Sequence, residues 1–217
     1  MKSYKTSRKL ANGAIYVILS ILSILWVLPI LWLVIISFRK EPGAYTSYIL
    51  PKEYTLDNYT RLFTDTSLFN YPRWFLNTLI VAVLTCIIST ILVLMISYAF
   101  SRLRFKSRKG FMNVGLILGM FPGFMTMIAV YHILKLVGLD QSLAALVLIY
   151  SAASCMTYFI AKGFFDTIPR SLDEAATIDG ASRSEIFWKI TLPLSKPIVV
   201  YTALTSFMAP WTDFIFV

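Results

Sequence analysis

Five long stretches without Asp, Glu, Lys or Arg dominate the chain: Leu10 to Phe38, Trp74 to Ser101, Gly110 to Leu134, Gln141 to Ala161 and Pro197 to Thr212. An α-helix needs about 20 apolar residues to cross a bilayer core, and the first four stretches reach that length. The fifth continues past Asp213 into Phe214-Ile215-Phe216-Val217. With 58% hydrophobic residues and a mean hydropathy of +0.72, the chain is more apolar than soluble domains, which average about 45–50%. The expected fold is an all-α membrane protein, one domain over 1–217, with spans at about 14–38, 75–101, 110–134, 142–161 and 197–217. The first is read as a span because it is far longer than the apolar segment of about 7–15 residues in a cleaved leader.

The net charge of +9 is distributed in short clusters beside these stretches. That pattern argues against nucleic-acid binding and fits the rule that Lys and Arg collect on the cytoplasmic side. The N-terminal tail (Lys2, Lys5, Arg8, Lys9) and the acid-free loop after the second span (Arg102, Arg104, Lys106, Arg108, Lys109) are expected inside. The external loop 39–74 mixes five basic with four acidic residues, and alternation returns the segment 166–193 to the cytoplasm. Cys86 and Cys155 fall within spans and read as small apolar residues, not as a secreted-type disulfide. No Cys/His cluster has metal-ligand spacing, and no phosphate-binding G-x4-G-K-S/T is present. The single histidine, His132, has no nucleophile or carboxylate near it in sequence. Enzyme chemistry and cofactors are therefore not expected on this chain.

The segment 166–193 carries the sharpest pattern: Glu174-Ala175-Ala176, three residues, Gly180, nine residues, then Ile190-Thr191-Leu192-Pro193. Pro169 stops the preceding element, and Ser171 with Glu174 reads as a capping box opening a helix that runs to about Ile178. Gly180 ends it. Ser182 with Glu185 repeats the start signal, and Ile186, Phe187 and Ile190 share one face of a second helix that Pro193 and Pro197 are expected to close. Ala175 and Ala176 offer a small-residue surface on which another backbone can approach closely.

This segment resembles the EAA loop of the membrane subunits of binding-protein-dependent ABC importers, matching EAA-x3-G-x9-I-x-LP at every fixed position. The resemblance implies a cytoplasmic coupling helix seated in a cleft of an ATPase. Glu174 would make a polar contact, Ala175 and Ala176 would pack closely, Gly180 would turn the chain, and Asp179, Leu192 and Pro193 complete the set. It further implies a homologous second permease, two ABC ATPases carrying ATP and Mg, and an extracytoplasmic solute-binding protein. The location implied is a bacterial or archaeal cytoplasmic membrane, crossed several times, with the N-terminus in the cytoplasm. A sixth span and a short tail beyond Val217 are implied as well, so the sequence is expected to be C-terminally shortened.

Three other stretches are similar to carbohydrate-uptake permeases of the maltose type: Leu50 to Phe63, Ser97 to Phe105, and Met120 to Met127. They point to a sugar, of the maltodextrin kind, as the solute. In the third, Pro122 removes a backbone hydrogen bond and Gly123 loosens the helix, so span three is expected to kink near its middle. Met120, Phe124, Met125, Met127, Tyr131 and His132 are the candidates for lining a pathway, against the plainer reading that methionine and phenylalanine fill gaps between helices. Asp213 is the one acid within an apolar run, read either as a substrate contact or as a group bonding backbone amides freed near Pro210. Arg102 and Arg104 read as helix-end anchors. The rivals are an importer permease for another polar solute and an ion-coupled secondary transporter, which would need several ionisable groups at mid-membrane.

Overall fold

The computed structural model describes residues 2–41, 43, 48–67, 69–139, 142–152 and 155–213, the side chains of 2–7, 10, 11, 124 and 155 excepted. Among these residues every regular element is helical. The sequence reads as one domain, whereas the structure divides into two compact units, Met1–Pro72 and Arg73–Val217.

In the first unit, α1 (Lys2–Ser37) is a single helix that passes through Pro29. Over Asn12–Ser37 it is apolar on every side and none of its core window is buried, the surface of a helix meant for hydrocarbon. Its C-terminal end is tied to α2 (Asp57–Thr64). Asn58 Nδ2 donates to the carbonyls of Ser37 and Arg39 at 2.9 and 2.7 Å, capturing two groups left over at the end of α1. The Tyr59 ring packs at a tilt on Phe38, 5.3 Å between centroids, and its hydroxyl lies 2.6 Å from that of Ser37. At the start of α2, Thr55 Oγ1 accepts from the Asp57 amide at 3.1 Å, while Asn58 reaches back to α1.

The second unit contains α3 (Tyr71–Arg102, begun at the end of the first), α4 (Arg108–Gly119), α5 (Gly123–Val137), α6 (Leu143–Ala152) and α7 (Cys155–Thr167). The coupling-like segment follows as α8 (Arg170–Ile178), α9 (Arg183–Glu185), a π-helical stretch (Ile186–Thr191) and α10 (Leu192–Leu194), and α11 (Lys196–Thr212) comes last. A core of Val93, Leu94, Tyr98, Ala161, Phe165, Ile168, Phe187 and Ile198 joins α3, α7, the π-helical stretch and α11. Small polar side chains seal the same contacts: Ser206 Oγ meets Ser89 Oγ at 3.1 Å and Ser97 Oγ donates to the Tyr158 carbonyl at 3.0 Å. Apolar burial drives little association within lipid, so close approach and such bonds carry the packing.

Span three differs from expectation. Instead of one kinked helix over 110–134, α4 stops at Gly119 and α5 starts at Gly123, with Pro122 in an extended conformation (ψ 126°) as its N-cap. Proline lacks the amide that would continue α4, and its ring biases Phe121 away from helical geometry. Span four also consists of two helices, Leu143–Ala152 and Met156–Thr167, whose axes differ by 44°. Among the described residues, Asn12–Ser37 and Tyr71–Arg102 are each long and apolar enough to cross a membrane alone. In span five, α11 passes through Pro210 and ends at Thr212, with Asp213 extended; 214–217 lie outside the described residues.

Candidate functional site: the helical loop between α7 and α11

α8 starts at Arg170, one residue earlier than its serine signal. Pro169, fixed at φ −58° and ψ 130°, is the N-cap, and no side chain caps the helix, so the Ser171–Glu174 box does not form. Proline sets the entry angle first and leaves Ser171 inside the first turn. The other end matches its signal. The Ala181 amide bonds the Ala176 carbonyl at 2.9 Å and the Gly180 amide bonds Thr177 at 3.1 Å, the paired bonds of a Schellman stop. Gly180 sits at φ +85° with open space where a Cβ would project, so backbone conformation and not crowding demands glycine.

Ser182 and Glu185 form the expected capping box: the Glu185 amide donates to Ser182 Oγ at 3.3 Å and the Ser182 amide to Glu185 Oε2 at 3.0 Å. Lys189 Nζ donates to Glu185 Oε1 at 2.9 Å. That bond, with those from Ser182, draws the Glu185 carboxyl down to about 2. Pro193 does not close this second helix, which continues through it to Leu194. An α-helical turn would press its ring on the carbonyl four residues back, and the wider π turn directly before it relieves that contact. Pro197 likewise opens α11, within its first turn.

One side of this loop is fastened to α3. Arg102 Nε lies 3.2 Å from Asp173 Oδ2, an ion pair whose side chains are 5% and 19% exposed. Its geometry falls short of a hydrogen bond, and Arg102 Nη2 instead donates to the Ile168 carbonyl at 2.8 Å. Arg170 returns the bond to the Ser101 carbonyl at 3.3 Å, and Ser101 Oγ donates to Asp166 at 2.6 Å. Tyr98 packs on Phe187 at 4.9 Å. Arg102, read from sequence as an anchor, is thus a clamp; Asp173, directly before Glu174, is visible in the sequence, but nothing local links it to Arg102.

Of the sequence-marked residues, Ala176 is 8% exposed and faces inward. Glu174, Ala175, Asp179, Gly180 and Pro193 are exposed, and Leu192 is half-buried against the core. Glu174 and Ile178 share the wall of an open groove of about 400 Å³ with Tyr98, Arg102 and Arg183. Leu172, Ala175 and Ile178, three residues apart, form an exposed apolar stripe, with Ile178 86% exposed. Leu172 and Ile178 are the members that the sequence reading passed over.

The pathway candidates are not gathered in the same way. Met120, Met125, Tyr131 and His132 are exposed along the α4–α5 break and α5, Met127 is half-buried, and the Phe124 side chain lies outside the described residues. Tyr131 and His132 rings meet edge-on at 5.8 Å. Asp213 is bonded to α6, where the Tyr150 hydroxyl donates to its Oδ2 at 2.9 Å.

Residues 95–217, which contain the clamp, the coupling-like loop and α11, match the family model of the binding-protein-dependent transport system inner membrane component. The chain belongs to this family. It is 36% identical to the galactooligosaccharides transport system permease protein GanQ of Bacillus subtilis over 92% of this chain and 71% of that protein. It is also 36% identical to the maltodextrin transport system permease protein MdxG of the same organism, over 97% of this chain and 75% of that one. The fold is shared with a crystal structure of a bacterial ABC transporter involved in the import of the acidic polysaccharide alginate, at a TM-score of 0.78 and 23% identity over 95% of this chain and 72% of that one. As a permease of the ABC transporter class the chain is a membrane component, and its family is a transport family, not an enzyme family.

Proposed function

We propose that this permease passes a sugar, of the maltodextrin kind, across the cytoplasmic membrane in an importer driven by ATP. The names of its relatives, which transport maltodextrin and galactooligosaccharides, support a sugar. The assembly contains a second homologous permease, two ABC ATPases that bind ATP and Mg, and an extracytoplasmic solute-binding protein that docks outside. The N-terminus and the α8 loop lie in the cytoplasm.

The observation that carries the coupling role is the two-sidedness of α8. Its inner side is tied to α3 through Arg102–Asp173 and buries Ala176, while its outer side offers Leu172, Ala175 and Ile178 with Glu174 at the groove. An aliphatic side chain covered by a partner contributes about 1.5–3 kcal/mol. α8 therefore seats in an ATPase, and the clamp passes ATPase closure to α3. Met120, Phe124, Met125, Met127, Tyr131, His132 and Asp213 are proposed to face the pathway. Uptake into vesicles holding the assembled importer tests the solute: maltodextrin should stimulate ATP hydrolysis in the presence of the binding protein. Stimulation by another polar solute alone would replace the sugar, and uptake driven by an ion gradient without ATP would replace the importer.

A further inference from the structure

We infer that the basic cavity between α3 and α4 holds the headgroup of an anionic phospholipid from the cytoplasmic leaflet. The cavity is open, about 720 Å³, and lined by Arg104, Phe105, Lys106, Arg108, Lys109 and Met112. Three of its cations, Arg104, Lys106 and Lys109, have no ion pair or hydrogen bond among the described residues. Arg108 influences Asp166, an acid already held by Lys162 at 2.5 Å and by Ser101. Four positive groups thus converge with no acid in the wall.

The rest of the lining separates a lipid from a water-soluble anion. Phe105 stacks on Phe100 at 6.0 Å and stands 40% exposed at the cavity, and Met112 continues through Leu116 along one face of α4. A phosphate needs only the cations. An amphiphile uses both parts, its phosphodiester among the Arg and Lys groups and an acyl chain along Met112 and Leu116. Basic clusters directly cytoplasmic of a membrane helix attract anionic lipid by roughly 1 kcal/mol per side chain. The inference rests on the permease reading with this loop inside.

The test uses the complete importer in vesicles of phosphatidylcholine with a photoreactive phosphatidylglycerol, and maps adducts on this chain. Adducts are expected within 103–118, and Arg104→Gln/Lys106→Gln/Lys109→Gln should weaken capture about fivefold per charge removed, the equivalent of roughly 1 kcal/mol each. Arg104→Lys should retain capture, and co-purification of the partner subunits with the triple variant verifies its fold. Equal labelling by a photoreactive phosphatidylcholine overturns the proposal. So does displacement by inorganic phosphate, or protection of the loop by an ATPase subunit. Ser107→Cys probed with a membrane-impermeant maleimide separates the two readings: reaction only from outside refutes the inside placement, whereas reaction from inside without phosphatidylglycerol adducts refutes the lipid site alone.

Discussion

The α8 loop and the broken third span both depend on a proline–glycine pattern, yet the structure uses it in opposite ways. Around α8, Pro169 and Gly180 bound a short helix whose remaining groups are fixed by Arg102, Arg170 and Ser182. At Met120–Gly123 the same residue types part α4 from α5 and leave Met120 83% exposed. A turn is rigid when polar partners hold both flanks, and otherwise it is only an interruption. The first arrangement suits force transmission. The second suits a segment that other surfaces must complete.

The largest effect is expected at Gly180. Proline cannot adopt its φ of +85° or supply the amide bonded to Thr177, so Gly180→Pro should abolish ATPase co-purification while the chain still inserts. Gly180→Ala should cost about 1–2 kcal/mol for the left-handed conformation and weaken co-purification without abolishing it. Equal behaviour of the two variants would show that the stop does not set the loop.

Next is the clamp. Removing one member of a fully buried ion pair costs about 3–5 kcal/mol; this pair borders an open groove, so Arg102→Met should cost less than that while lowering both thermal stability and transport per ATP hydrolysed. The exchange Arg102→Asp/Asp173→Arg should recover part of both. If hydrolysis stays fully coupled to uptake in Arg102→Met, the clamp is not the transmission route.

Smaller effects belong to the cap of the second helix. Ser182→Ala should cost about 1 kcal/mol. Glu185 has its carboxyl lowered from 4.5 to about 2, so its contribution is complete above pH 4.5 and is lost as pH falls from there toward 2. Thermal unfolding of Glu185→Gln should therefore differ from the parent at neutral pH and converge with it on acidification. The smallest stability effect is expected at the break: Met120→Ser should change stability by less than about 0.5 kcal/mol. A loss as large as that at the clamp would erase the contrast between the regions.

What could be read from sequence follows the range of the interactions. Long apolar runs, the Ser182–Glu185 box and the Gly180 stop are local chemistry, complete within a few residues. Ser171 misled because Pro169 fixes the chain direction before the serine can cap, and Pro193 misled because a π turn absorbs its ring. Arg102 and Asp173 were each visible, but their pairing depends on how α3 and α8 pack, which no spacing encodes. The Leu172, Ala175 and Ile178 stripe repeats at three-residue intervals, yet in sequence Ala175 and Ala176 form one small-residue surface, and only the packing of α8 separates the buried Ala176 from the exposed Ala175.

The most direct test places a photo-crosslinking residue at Ile178 in the assembled importer and identifies the adduct with and without ATP. Adducts to an ATPase subunit, with a yield that changes with nucleotide, are the expected result. Adducts to lipid or to no protein at all, in an importer that still hydrolyses ATP and transports, would contradict the assignment of α8 as the coupling helix.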